Sequence, residues 1–580
     1  MNISPRLDMP NRQYSKVTKL RLAVAIMAMI PVLVSAQQPK YTEEITVIAT
    51  YKPEIPDAFK INQNPVNNDT STTIPVMTYN IQPRPATIQL AIEPLPSPKL
   101  VAEPINKLYR NYLRGGFGNY ATCYGELNAS SLRSKKGMVG VRIKHLSSAG
   151  TIKDFGPPAN SHQLADLTGE RYFSDHVLGA EAYFNRDAIH FYGVPDSTLE
   201  KFDIEKDSIK QRYISAGGNL TFRSAYKGNN KLNHAVSLGY SYLEDNFDAS
   251  ENNIHFNAAA DKAADLFNLK EKQTLGLTAD VQFYNQRNRF FETTNSVVVM
   301  LQPFIGVKYN EYSFKAGFSF YVQGDTVTKG HLYPYLEARL EAIPNALQIY
   351  AGIDGSMHRH TLKETACENP FIKDSLEFRY VNEKFRAYGG FSSNISKSFN
   401  LNGSISASSV ENNPFFVGET SSLNNTFMLK YDDVSVMKLR AELEYVKSEK
   451  LNLALSGAFN RYYKLLYEKH PWYKPEFVIG FNSRYNIQDK IILKLQADYN
   501  GPVWALRPAT SEPDETPGTS GKISEKLDGW FDGSLGIEYR FNKALSFWLN
   551  FNNFTNTRHW LWYNYPSYRF NVLGGVSFSF

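Results

Sequence analysis

The sequence predicts an all-β protein, namely a closed antiparallel transmembrane β-barrel of about 20–22 strands with a proline-rich N-terminal extension. Three observations lead to this fold class. Apolar and polar residues alternate with a period of two over most of residues 107–580, aromatic residues are abundant, and short turns alternate with long connecting loops.

Residues 1–36 have the pattern of a secretory signal peptide. Basic residues precede the apolar run Leu22–Val34, and Val34-Ser35-Ala36 supplies small residues at the cleavage spacing. The run is shorter than the roughly 20 residues that a membrane-spanning helix needs. Cleavage after Ala36 removes five basic residues and one acidic residue, so the formal charge falls from +6 to +2. A mature chain so nearly neutral gives no indication of nucleic-acid binding.

Residues 37–106 lack the alternation of the later chain. The segment 37–50 contains one short strand-like stretch that has no neighbouring strand in the sequence. The segment 51–106 contains ten prolines, with many Asn and Thr residues. Such a composition predicts an extended linker, or a segment that partly fills the lumen of the barrel.

Residues 107–580 carry the barrel prediction. In one representative segment, Leu275, Leu277 and Ala279 alternate with Thr274, Gly276 and Thr278. Such a pattern places every second side chain on an apolar face. A soluble β-sandwich also alternates, so the pattern alone does not decide between the two folds.

The aromatic content and the loop lengths favour the membrane barrel. The chain contains 36 Tyr and 37 Phe residues, many of them near predicted strand ends, for example Phe283, Tyr463, Trp560 and Trp562. Aromatic girdles occupy these positions in outer-membrane barrels. Short turns such as residues 488–490 alternate with long segments such as 151–172, 357–384 and 501–528. Charged residues within the alternation, such as Lys438 and Glu442, are predicted to face the lumen.

The strand-like stretch near the mature N-terminus resembles a known motif. Its residues are similar to the TonB box of TonB-dependent outer-membrane receptors, and they are Glu43, Glu44, Ile45, Thr46, Val47, Ile48, Ala49 and Thr50. The barrel, which begins at NYLRGGFGNYATCYGEL, also resembles receptor-like barrels of Bacteroidota. The resemblance implies that this box adds as a strand to the periplasmic domain of the TonB protein.

The sequence departs from the receptor pattern between the box and the barrel. TonB-dependent receptors carry a globular plug domain there, whereas here only the proline-rich segment intervenes. The resemblance therefore extends to residues 43–50 and to the barrel, but not to a plug.

Other site motifs are sparse. His358 and His360 could lie on one face of a strand as metal ligands, but no Cys or third His lies nearby. Cys123 and Cys367 could form one disulfide bridge. The chain has no G-x-S-x-G or H-E-x-x-H motif. We therefore expect no catalytic residues, no metal site and no cofactor.

Two functional classes remain open. The first is transport of a solute or nutrient across the outer membrane of a Gram-negative bacterium, with the N-terminus in the periplasm. The second is a plug-less scaffold barrel in an envelope protein complex. The expected partners are outer-membrane lipid, the TonB periplasmic domain and other envelope proteins, and not nucleic acid.

Overall fold

The computed structural model describes residues 109–131, 134–201, 203, 205–226, 231–267, 271–289, 293–419, 423, 425–508 and 522–580. The predicted signal peptide, the TonB-box-like residues 43–50 and the proline-rich segment lie outside this part of the chain. Within it, 22 strands form one antiparallel sheet. The predicted strand number is therefore confirmed at its upper value.

The barrel strands follow one another around the ring in chain order. They are β1 (Asn111–Gly118), β2 (Thr122–Ser130), β3 (Gly137–Ser148), β4 (Asn160–Tyr172), β5 (His176–His190), β6 (Lys210–Ser224), β7 (Asn233–Glu244), β8 (Ser250–Ala264), β9 (Gln273–Arg287), β10 (Thr294–Tyr309), β11 (Tyr312–Gly324), β12 (Lys329–Ile343), β13 (Leu347–Arg359), β14 (Tyr380–Ser396), β15 (Phe399–Gly418), β16 (Phe427–Lys447), β17 (Leu451–Tyr463), β18 (Phe477–Ile487), β19 (Ile491–Asn500), β22 (Trp530–Arg540), β23 (Leu545–Asn552) and β26 (Asn571–Ser579).

Four short strands and two short helices lie in the connections. The strands form two hairpins, β20 (Val503–Pro508) with β21 (Lys522–Leu527), and β24 (Trp560–Trp562) with β25 (Tyr565–Pro566). The helices are α1 (Asp196–Lys201) and α2 (Leu362–Glu368), and a 3₁₀ turn covers Lys206–Ile209. Among the residues that the structure describes, no helix is both long and apolar enough to cross a membrane.

The ring closes between the first and last strands. β1 pairs with β26 from Tyr112 opposite Ser579 to Gly118 opposite Leu573. The closest approach is at Gly575, where a Cβ atom would lie 1.9 Å from the Gly115 carbonyl oxygen. Closure leaves no unpaired sheet edge, as the hydrocarbon region of a membrane requires.

Apolar and polar side chains point to the two faces of the barrel wall as the sequence predicts. Large apolar side chains are exposed on the outer surface of successive strands, for example Leu277, Leu301 and Leu336. Polar residues of the same strands meet on the inner surface, where Gln302 donates a hydrogen bond to Ser319 at 2.7 Å. An apolar outer surface of this kind faces lipid.

Several details correct the sequence predictions. Residues 160–172 belong to β4 and not to a loop. The strand over residues 250–264, β8, is confirmed although its alternation is weak. Trp560 and Trp562 lie in the β24–β25 hairpin and not in an aromatic girdle. Both cysteines are free. At residues 160–172 the alternation is locally ambiguous, and pairing with β3 and β5 decides the outcome.

The two ends of the barrel differ in their connections. At one end the connections are tight, for example the two residues between β10 and β11, where Asn310 adopts a left-handed conformation with φ of 50°. At the other end the connections hold both hairpins and both helices. Long loops mark the extracellular end of an outer-membrane barrel and short turns mark the periplasmic end.

Candidate functional site

The extracellular loops form a single hydrophobic core above the barrel, which we call the cap. Its fully buried members come from several different connections and strand ends, and they include Val194, Phe415, Phe416, Val417, Trp472, Ala505 and Tyr565. Loops that only met water would not bury side chains of this size. The cap is therefore a folded unit and not a set of independent loops.

One buried hydrogen bond shows that the cap crosses the mouth of the barrel. The Asn425 side-chain amide, between β15 and β16, donates to the Phe191 carbonyl oxygen, between β5 and β6, at 3.0 Å. These two connections are ten strand positions apart in a ring of 22, and so lie almost opposite each other. The contact therefore spans the extracellular opening.

Tyr565, in the connection between β23 and β26, contacts both of these loops and also the connection between β13 and β14. Its hydroxyl donates to the Asn425 carbonyl oxygen at 2.5 Å, and its ring stacks on Phe371 with centroids 3.7 Å apart. Tyr192 packs edge-on against Tyr565 and donates to the Pro566 carbonyl oxygen at 3.0 Å. Burial raises the pKa of Tyr565 well above its usual value, so its hydroxyl remains a proton donor at neutral pH.

Helix α2 brings the connection between β13 and β14 over the lumen. Thr361 caps the helix and forms a reciprocal capping box with Glu364. The Leu362 backbone N–H donates to the Glu251 carboxylate at 2.7 Å. From the helix, Lys363 reaches the hydroxyl of Tyr183 on β5 at 2.8 Å, which ties this connection to a distant part of the barrel wall.

His360 lies buried where β13 passes into the cap. Its Nδ1 is 3.1 Å from the Tyr431 hydroxyl, and its Nε2 is 3.4 Å from the Thr365 hydroxyl. Burial, followed by the nearby positive charges, lowers the pKa of His360 to about 3. The neutral imidazole is therefore the form that the cap accommodates near pH 7.

The lumen wall below the cap carries paired charges. Arg386 donates to Asp354 through Nε at 2.8 Å and through Nη2 at 2.5 Å. Glu337 lies 2.9 Å from Arg339 and 3.8 Å from Lys315. These pairs are typical of a polar lumen in contact with water.

The structure does not bring the other candidate residues into a site. His358 is exposed and His360 is buried with hydroxyl partners, so the two do not form a metal site together. Within the described residues, no group of three or more His, Cys, Asp or Glu side chains is arranged to hold a metal ion. Residues 43–50 remain a sequence prediction. No pattern in the sequence predicts the cap, because its contacts join residues far apart in the chain, such as Asn425 and Phe191.

Known protein structures share this architecture. The FrpB iron transporter from Neisseria meningitidis matches with a TM-score of 0.60 and 10% identity over 82% of both chains. The pyoverdine outer membrane receptor FpvA from Pseudomonas aeruginosa matches with a TM-score of 0.58 and 11% identity, over 82% of this chain and 79% of that one. The siderophore receptor PirA from Acinetobacter baumannii matches with a TM-score of 0.58 and 8% identity, over 81% and 80%.

Sequence comparison gives no corresponding match. No protein-family model and no curated protein matches the chain. At these identities the structural likeness concerns the fold. The chain is a closed 22-stranded antiparallel β-barrel that shares the fold of these receptors, and the predicted resemblance to the receptor barrel is confirmed at the level of the fold.

Proposed function

We propose that the protein moves a solute inward across the outer membrane, with the cap as a barrier that opens during transport. The observation that carries the proposal is the buried contact between Asn425 and Phe191 across the mouth of the 22-stranded barrel. A barrel of this size encloses a lumen that would be a wide pore if nothing obstructed it. A barrier in that position suits gated import better than free diffusion.

The energy for opening would come from the periplasmic side. Residues 43–50 have the composition and position of a TonB box, and a strand added to the TonB periplasmic domain could transmit force to the barrel interior. The receptor fold and the N-terminal sequence support this proposal independently of each other.

A scaffold function is the second candidate, and one surface feature favours it. Leu466 and Tyr467 are exposed on the β17–β18 connection, at 61% and 74%. The buried Asp432 holds this turn by accepting backbone hydrogen bonds from Leu466, Tyr467 and Glu468 at 2.9–3.0 Å. A rigid, exposed apolar turn is suited to contact a partner protein.

A pull-down of the full chain on the purified TonB periplasmic domain tests the import proposal. Exchange of both Ile45 and Val47 for Pro removes two backbone donors from the box and should abolish binding. The conservative change Ile45→Val should retain it. Equal recovery of wild type and a variant lacking residues 43–50 would reject TonB coupling. The scaffold function instead predicts a stoichiometric partner that is lost when Leu466 and Tyr467 are changed to Ser.

A further inference from the structure

A crevice of about 240 Å³ opens at the extracellular rim beside the cap. It lies between the upper ends of strands β8–β11 and the connection that follows β13. Its lining combines apolar side chains, such as Leu362, Leu376 and Phe378, with hydroxyl and charged groups. Small-molecule sites in proteins commonly have this mixed character.

Arg359 is the most deeply buried charge in the lining, with 5% of its surface exposed. Its guanidinium makes only long contacts. Nη2 donates to the Gln286 side-chain oxygen at 3.4 Å, Nη1 lies 3.7 Å from Asp325, and Nε has no hydrogen-bond partner within the described residues. The Tyr380 ring packs against one face of the guanidinium, with its centroid 4.9 Å from Arg359 Cζ.

This arrangement contrasts with Arg386, which is less buried yet forms a close two-point contact with Asp354. An arginine has five donors in a rigid fork that matches two oxygens of one carboxylate. A buried guanidinium with so few close acceptors carries a desolvation cost that its protein partners do not offset. Arg359 therefore has donor capacity available for a ligand.

The neighbouring charges leave Arg359 as the main electrostatic feature of the crevice. Three other charged residues of the lining form ion pairs with residues that lie outside the crevice. The pairs are Lys373 with Glu419 at 2.5 Å, Asp374 with Arg289 at 3.9 Å, and Glu377 with Arg379 at 3.0 Å. Asp325 faces Arg359, while the positively charged Arg287 also lines the crevice. Hydroxyl groups of Ser250, Thr294 and Thr326 complete the polar lining.

We propose that this crevice binds a small carboxylate anion through Arg359. The volume corresponds to about eight water molecules, at roughly 30 Å³ each, which suits a compact polycarboxylate. Asp325 competes with the anion for the guanidinium, so its charge limits the affinity. The anion site stands on this geometry alone, and its assignment as a subsite for the transported solute rests on the proposed function.

Calorimetric titration of the detergent-solubilised full chain with citrate tests the site. We expect one citrate per chain, with affinity at least about tenfold weaker in Arg359→Gln, because a buried charge pair is lost. Asp325→Asn should strengthen binding by removing the competing carboxylate. The matched control is Arg386→Gln, a change of the same kind at an arginine that pairs with Asp354 outside the crevice, and it should bind citrate as wild type does.

Three outcomes would overturn the proposal. They are no heat of binding from folded wild-type protein at millimolar citrate, an equal loss of affinity in Arg386→Gln, and weaker binding in Asp325→Asn. The last result would mean that Asp325 does not compete with the anion for the Arg359 guanidinium. The Asp325→Asn arm keeps the test decisive if Arg359→Gln does not fold. Binding is measured without transport, so failure of the site and failure of the import function are distinguishable.

Discussion

The role of the cap as a barrier depends most directly on Tyr565, so truncation of this side chain should loosen the cap without unfolding the barrel. Tyr565 is completely buried, and its ring stacks on Phe371. Loss of a buried aromatic ring costs about 3–5 kcal/mol through lost burial and the cavity left behind. Tyr565→Phe retains the ring but removes the hydroxyl that donates to the Asn425 carbonyl oxygen. Leaving this buried acceptor without its partner should destabilise the cap by about 1–3 kcal/mol.

These energies translate into measurable opening of the cap. Because 1.4 kcal/mol corresponds to about a tenfold change in an equilibrium constant, Tyr565→Ala should raise the open population of the cap about a hundredfold or more. Hydrogen exchange of cap peptides should accelerate accordingly, with a smaller effect in Tyr565→Phe. In planar bilayers, Tyr565→Ala should show larger or more frequent conductance events than wild type.

A matched control and a clear contrary result complete the test. Tyr467→Ala removes an exposed tyrosine from a different extracellular connection, β17–β18, and should leave both exchange and conductance unchanged. Heat-modifiable gel mobility reports whether the barrel itself is intact. If Tyr565→Ala retains its barrel and its cap exchanges and conducts as wild type does, the cap is not a barrier held by this residue.

Three further predictions concern the pH dependence, the loop support and the barrel seam. His360 has a pKa of about 3 in the folded cap and about 6.5 when unfolded, so the unfolded state binds more protons between these two pH values. The stability of the cap should therefore fall as the pH drops from 6.5 towards 3. Hydrogen exchange of cap peptides should show this fall in wild type and not in His360→Gln. Asp432→Ala should destabilise the β17–β18 connection by at least about 2 kcal/mol, seen as faster proteolysis there, whereas unchanged cleavage would contradict the role of the carboxylate. Gly575→Ala should prevent closure of β1 on β26 and abolish the heat-modifiable form, while Gly125→Ala, whose added methyl meets no atom within 4 Å, should fold normally.

Local patterns explain why so much of the barrel is readable from the sequence. Each strand alternates because one face meets lipid and the other meets the lumen, and each tight turn carries its own signal, as at Asn310. Where a signal was ambiguous, as in β8, the neighbouring strands determined the structure. The alternation also places Phe283 on the same face as Leu275 and Leu277, and the structure confirms this, since Phe283 is exposed on the outside while its neighbour Tyr284 is buried.

The sequence by itself determined the all-β barrel class and the approximate strand number, and it predicts a secretory leader and a TonB-box-like segment at residues 43–50. Only the tertiary structure decided that the loops form a cap, that Tyr565 lies at its centre, and that Arg359 is buried with few close acceptors. The physical reason is the range of the interactions. Alternation and turns are set by neighbouring residues, whereas the contacts of Tyr192 with Pro566 and of Asn425 with Phe191 join residues that become neighbours only when the ring of strands has closed.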